Sequence, residues 1–219
     1  VLHLLYINSA VVQATYTLTE LLLLLPDSVK ERTLRYQQPQ DAYNFVLGRL
    51  LLQQALLEKG GAAEELEAIQ YSSNQKPWLP SLNFNISHSQ EWVACAFSSE
   101  QAVGLDIEVP RPLKKTHFRH CFSLKEWDEI TADVGMHTFY QYWTAKEAVL
   151  KAQGLDLGHL LDMTIVDLKE VYVKLPQENQ ITRWQLQHFS LDNSPAYACL
   201  CAKFVKDFSI NLLDVDSLF

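Results

Sequence analysis

The sequence predicts an α+β (α/β) fold of two similar subdomains related by a pseudo-twofold, each a small, mostly antiparallel sheet packed with a long helix. Three observations predict it. A helix-periodic segment followed by short β-like runs occurs twice, first from residue 42 and again from about residue 143. The runs Trp92-Val93-Ala94-Cys95-Ala96 and Ala196-Tyr197-Ala198-Cys199-Leu200 echo one another in the two halves. Finally, 219 residues with 48% hydrophobic side chains suffice for one large domain or two small, intimate halves. The division is expected at 1–104 and 105–219, with the active site in the cleft between them, because ligand sites favour such seams.

Residues 3–7 read as a short buried strand. Thr19 is placed to cap a helix over 20–25, and Pro26-Asp27-Ser28 opens a second. The apolar period over 42–59, with Gly60-Gly61 as its stop, predicts the long helix of the first half. Arg49 is the cation inside its apolar stretch, either snorkelling to water or buried as an anion ligand. A long cationic stem favours snorkelling. Strands are expected at 69–72, 82–87, 92–98 and 103–109, between clusters of Asn, Ser, Gln and Pro. Ser123-Leu124-Lys125-Glu126 has the form of a capping box, and Gly154 can end the helix that contains 143–151. Further strands are expected at 164–167, 171–175, 184–190 and 197–204.

Composition narrows the function classes. The run from Leu21 to Leu25 is far shorter than the roughly 20 residues of a membrane span, so no membrane role is expected. Val1-Leu2-His3 lacks a basic n-region, so no secretory signal is expected, and the missing initiator methionine points to trimming or truncation. Cys95, Cys121, Cys199 and Cys201 have no C-x-x-C spacing, which predicts free thiols in a reducing cytoplasm. A net charge of -8 argues against nucleic acid as a partner. Yet Arg111, Lys114, Lys115, Arg119 and Lys125 form a basic block, with His117 and His120 and no acid before Glu126. It is either a solvated face or a surface that steers an acidic macromolecule.

The chemistry concentrates in two motifs. In an extended run, side chains two apart share a face, so Asp106 and Glu108 of Gly104-Leu105-Asp106-Ile107-Glu108 present two carboxylates together. In the helical run Trp143-Thr144-Ala145-Lys146-Glu147-Ala148-Val149-Leu150-Lys151, Glu147 and Lys151 lie one turn apart. Three carboxylates and two lysines describe a magnesium site for a phosphorylated substrate. Taken singly, the same residues would serve as a strand edge and a surface ion pair worth about 0.3 to 0.5 kcal/mol.

Together with Asn85-Ile86-Ser87-His88-Ser89 upstream, these motifs resemble, in order and separation, the 4'-phosphopantetheinyl transferases of the surfactin-synthetase-activating type. The resemblance implies transfer of the 4'-phosphopantetheine arm of coenzyme A to a serine of an apo acyl or peptidyl carrier protein, releasing adenosine 3',5'-bisphosphate. It implies Mg2+ held by Asp106, Glu108 and Glu147. It further implies that Glu147 accepts the serine proton, directly or through a metal-held water, that Lys146 and Lys151 contact phosphate oxygens, and that Lys146 joins Glu147 as catalytic. For coenzyme A, Lys76-Pro77 resembles the adenine-side turn, Ser87 and His88 the phosphate-contacting pair, and Arg49 a cation of the first long helix. Val29 and Asn44 stand where several relatives carry basic residues, so the ribose 3'-phosphate falls to Arg32 and Arg49. Glu126 aligns with a glutamate sometimes given metal or base chemistry; as the N3 member of the capping box it needs neither. Carrier proteins are typically acidic, so the block Arg111, Lys114, Lys115, Arg119 and Lys125 is the expected docking surface. The length resembles the monomeric members of the family. The alternative is a non-catalytic module that binds coenzyme A or a nucleotide and transfers nothing.

Overall fold

In the computed structural model, which describes residues 1–174 and 180–214, strand β1 (Leu2–Asn8) runs directly into helix α1 (Ser9–Thr15). Asn8 makes that junction, since its Oδ1 accepts from the N–H groups of Ala10 and Val11. Helix α2 (Leu18–Leu22) is capped by Thr17, not by Thr19 as expected. The Thr17 side chain accepts from the Glu20 N–H while Glu20 reaches back to the Thr17 N–H, a reciprocal box that a lone threonine at 19 cannot make. Pro26 opens α3 (Asp27–Thr33), and α4 (Pro39–Glu58) is the predicted long helix. β2 (Gln70–Tyr71) pairs with β3 (Pro77–Trp78), setting Tyr71 opposite Pro77. β4 (Asn83–Ser89) and β5 (Trp92–Ser98) form the antiparallel hairpin of the first sheet.

β6 (Val103–Glu108) opens a second unit, followed by a 3-10 turn over Lys115–Cys121, α5 (Leu124–Ala132) and α6 (His137–Gln153). Gly154 ends α6 at φ 70°, a left-handed conformation that glycine adopts without a Cβ penalty. The predicted strands at 164–167 and 171–175 are β7 (Met163–Ile165) and β8 (Glu170–Val173); Leu175 lies outside the described residues. β9 (Thr182–Phe189) and β10 (Tyr197–Ala202) complete a five-stranded sheet in the order β6-β10-β9-β8-β7, antiparallel throughout.

The chain then crosses back. β11 (Phe208–Leu212) lies parallel to β1, giving the first sheet the order β11-β1-β5-β4. One compact unit is therefore Val1–Glu100 plus the segment from Asp207, and the other is Gln101–Lys206. Each is a small, mostly antiparallel sheet with a long helix, the predicted α+β class. In the first, Val46, Leu47, Leu50 and Leu51 of α4 pack with Leu5, Ile7, Val93, Cys95 and Phe97 of the sheet. In the second, Phe139, Ala145, Ala148 and Val149 of α6 pack with Met163, Val171, Trp184, Cys199 and Cys201. All four cysteines are free and buried. Among the described residues no helix is long and apolar enough to cross a membrane.

Candidate active site

Gly104 determines how closely α6 lies on β6. A Cβ at this position would stand 1.9 Å from the Ala148 carbonyl oxygen and 2.8 Å from the Ala152 nitrogen, so only glycine admits this helix-to-strand approach. Side chains alternate along a strand, so Asp106 and Glu108 share the face of Gly104 and look toward α6, while Leu105 and Ile107 are buried on the other side. On α6, residues 143, 147 and 151 recur every four positions and form one stripe. Helix and strand meet in opposite order: Trp143 Nε1 donates to Glu108 Oε1 at 3.2 Å, and Lys151 Nζ donates to Asp106 Oδ1 at 2.5 Å. Glu147 lies on the stripe between these two contacts.

The electrostatics follow from this crowding. Burial pushes the Glu147 carboxyl up to about 7, with the Asp106 and Glu108 charges adding to it and Lys151 opposing. Burial and Asp106 likewise raise Glu108, against the Trp143 hydrogen bond and the charges of Arg111 and Lys151. Burial alone would lower the Lys151 ammonium, but Asp106, Glu147 and Glu108 together hold it above its ordinary range. The wall therefore carries more negative charge than its one lysine neutralises. In this conformation Asp106 is engaged by Lys151, and among the described residues no three His, Cys, Asp or Glu side chains form a ready-made metal cage.

Lys146 is a correction to the sequence reading. It is 0% exposed, its Nζ ion-paired with Glu126 Oε2 at 2.8 Å and donating to the carbonyls of Cys121 at 3.2 Å and Leu160 at 2.8 Å. One residue from Glu147 on a helix is about 100° around the axis, so Lys146 points off the stripe, and its ammonium is enclosed with Glu126 and two carbonyls and does not face the carboxylate wall. Burial lowers its ammonium, and the Glu126 carboxylate restrains that fall. Glu126 is buried in turn. Its Oε2 accepts from the Ser123 N–H at 2.8 Å in the predicted capping box. Both residues fasten α5 and the turns around it to α6.

The basic block divides as well. Lys115 Nζ donates to the carbonyls of Ile130 and Asp133 at the end of α5, and Arg119 donates to the Phe122 carbonyl with its guanidinium over Trp127. Arg111, Lys114 and Lys125 are exposed.

In the other unit, Arg32 and Arg49 line one cavity of about 130 Å3, together with Arg35. Arg49 does not snorkel. It is 6% exposed, donates to the Tyr71 hydroxyl at 3.3 Å and lies over the Phe45 ring. Val29 and Asn44 are buried, Val29 lining the same cavity and Asn44 donating to the Gln90 carbonyl. Lys76 and Pro77 follow the turn into β3, where the Lys76 N–H donates to Ser72 Oγ and Pro77 pairs with Tyr71. Ser87 and His88 are neighbours on β4 and so face opposite sides of the sheet, Ser87 buried and His88 exposed. Two residues escaped the sequence reading. Trp143, inside a quoted motif, orients Glu108; Tyr71 touches both arginines and carries no local signal.

Comparison with known proteins identifies the family. Residues 102–202 match the model of the 4'-phosphopantetheinyl transferase superfamily, and residues 14–100 match that of the 4'-phosphopantetheinyl transferase N-terminal region. The chain is 32% identical over 161 residues to 4'-phosphopantetheinyl transferase Sfp of Bacillus subtilis, covering 68% of this chain and 70% of that protein. It is 28% identical over 194 residues to 4'-phosphopantetheinyl transferase gsp of Aneurinibacillus migulanus, covering 84% and 79%. A third relative is the L-aminoadipate-semialdehyde dehydrogenase-phosphopantetheinyl transferase of Rattus norvegicus, 29% identical over 173 residues and covering 70% and 56%. A relative above 30% identity and two adjoining family models lead to one conclusion: this chain belongs to the 4'-phosphopantetheinyl transferases.

Proposed function

We propose that Asp106, Glu108 and Glu147 hold a magnesium ion for the transfer of 4'-phosphopantetheine from coenzyme A to a serine of an apo carrier protein. The transfer itself follows from family membership, and the non-catalytic module is not favoured. The observation that carries the metal reading is geometric: Asp106 and Glu108 share one face of β6, and their contacts to Lys151 and Trp143 bracket the Glu147 position on the facing stripe of α6. Oxygen-only donors fit a hard divalent cation, and such a cation would favour the ionised forms of Glu108 and Glu147 that burial first, and the neighbouring carboxylates second, disfavour. When bound, magnesium supplies positive charge to the coenzyme A diphosphate as the phosphoryl bond to the departing nucleotide breaks.

The chain's own residues do the rest. Glu147 takes the proton from the carrier serine, acting in the ionised form that a cation on the wall would favour. Lys151, kept charged by its carboxylate neighbours, turns its ammonium to phosphate oxygens of the substrate. Trp143 keeps the Glu108 side chain in place. Arg32 and Arg49 take a phosphate of coenzyme A, with Lys76, Pro77, Ser87 and His88 as its further contacts. Carrier docking falls to Arg111, Lys114 and Lys125, because Lys115 and Arg119 are committed to carbonyls of their own unit. A monomer working in the cytoplasm, without nucleic acid or membrane, completes the reading.

The test is mass spectrometry of an apo carrier incubated with the protein, coenzyme A and magnesium. A phosphopantetheine adduct is expected, lost on adding EDTA and restored by excess magnesium. Glu147→Gln should lower turnover by about a hundredfold or more while coenzyme A affinity measured by calorimetry changes far less. Undiminished turnover in this variant would remove Glu147 from the mechanism.

A further inference from the structure

We propose that Tyr71 is a positioning residue that sets Arg32 and Arg49 as a fork for the ribose 3'-phosphate, and so determines selectivity for coenzyme A over 3'-dephospho-coenzyme A. The inference rests on the coenzyme A reading above. Its geometric basis is a convergence on one side chain. The Arg32 guanidinium stacks 4.0 Å from the centre of the Tyr71 ring, and Arg49 donates to the Tyr71 hydroxyl at 3.3 Å. Pairing of β2 with β3 holds Tyr71 opposite Pro77, so the ring belongs to a fixed turn.

The cavity requires an anion. Arg49 is 6% exposed, and among the described residues no carboxylate pairs with it, with Arg32 or with Arg35. Glu67 also lines the cavity but is exposed and makes no such pair. A buried guanidinium with only a phenol and an aromatic face beside it lacks the countercharge that buried cations ordinarily have. The volume, about 130 Å3, lies well below the roughly 300 to 1,000 Å3 of a whole-ligand pocket, which suits one charged group of a larger molecule. Coenzyme A has two phosphate sites. Its diphosphate is engaged at the reacting centre, which leaves the 3'-phosphomonoester, a dianion suited to two planar guanidiniums.

Tyr71 acts through those arginines. Its ring limits the rotation of Arg32 and its hydroxyl limits that of Arg49, so both forks face the ligand before it arrives and less freedom is lost on binding. Tyr71→Phe keeps the stack under Arg32 and deletes the hydrogen bond to Arg49. Tyr71→Leu deletes both.

Calorimetry with coenzyme A and with 3'-dephospho-coenzyme A, on the full chain, tests the assignment. Wild type should prefer coenzyme A. Tyr71→Phe should weaken coenzyme A about tenfold and Tyr71→Leu further, with dephospho-coenzyme A unchanged within about twofold, so that selectivity collapses. Equal weakening of both ligands would reduce Tyr71 to a structural residue and overturn the proposal, as would unchanged coenzyme A affinity in a Tyr71→Phe protein that melts like wild type. A wild type that does not distinguish the two ligands yet still modifies an apo carrier would sink the 3'-phosphate assignment and leave the transferase reading standing. A wild type that neither binds coenzyme A nor modifies a carrier would remove both.

Discussion

Among the described residues two cations are buried, Arg49 within α4 of the first unit and Lys146 within α6 of the second, and their surroundings differ in one respect. Lys146 has a buried carboxylate, Glu126, and two backbone carbonyls, so its donors are spent inside the fold. Arg49 has a phenol oxygen and an aromatic face, neither of which offsets its charge. A buried charge with its countercharge present holds elements together. One without it suits a ligand that brings the countercharge, the role proposed above for Arg49. The family resemblance gives both residues to coenzyme A phosphates, and a long cationic stem by itself lets Arg49 snorkel; the structure separates the two by their partners, so partners, not motif membership, assign a buried ion its work.

The largest effect that could break this comparison belongs to Lys146. Lys146→Met should strand the Glu126 carboxylate in a buried position and cost about 3 to 5 kcal/mol of stability in urea unfolding. Adding Glu126→Gln, which keeps an oxygen for the Ser123 N–H, should recover most of that loss. A Lys146→Met protein of normal stability that no longer binds coenzyme A would return Lys146 to the phosphate.

Arg49 should behave in the opposite sense. Arg49→Met removes a charge that no carboxylate among the described residues pairs with, so unfolding free energy should stay within about 1 kcal/mol of wild type or rise. Coenzyme A affinity should fall at least about tenfold. Arg49→Lys should restore only part of it, because an ammonium lacks the planar fork. A large stability loss with intact binding would make Arg49 a structural residue like Lys146.

These two residues also mark what was legible in the sequence. The i, i+4 spacing of Glu147 and Lys151 and the alternation of Asp106 and Glu108 are local periodicities, and the structure realises both on facing elements. The same helical geometry already separates Lys146 from Lys151, five positions and about 140° apart; reading both as phosphate contacts followed the family motif rather than the helix. Gly154 and the Ser123 box were legible because caps are written in adjacent residues. β11 was not. Its parallel pairing with β1 joins segments some two hundred residues apart, and no turn residue announces such a pairing. Tyr71 stayed hidden for the same reason, since its meaning lies in two arginines on other helices.

Glu147 is the anionic counterpart of Arg49, and it supplies the smallest and sharpest test. Burial, and after it the charges of Asp106 and Glu108, which Lys151 only partly opposes, hold its folded value at about 7, above the ordinary 4.5. Between those values the folded, metal-free protein keeps a proton that the unfolded chain releases. The contribution of Glu147 to stability is therefore fully present below about pH 4.5 and is lost as pH rises through about 7. Glu108 is raised as well and acts in the same direction. Unfolding free energies of wild type and Glu147→Gln in EDTA should diverge steadily across this window, wild type losing ground to the variant as pH rises, and run parallel above about pH 8. Magnesium should reverse the trend for wild type alone, because an ion held by Glu147 competes with its proton and gains as the carboxyl ionises. Parallel curves throughout would mean that Glu147 already has its countercharge in Lys151, which would place it with Lys146 among the spent charges of the fold.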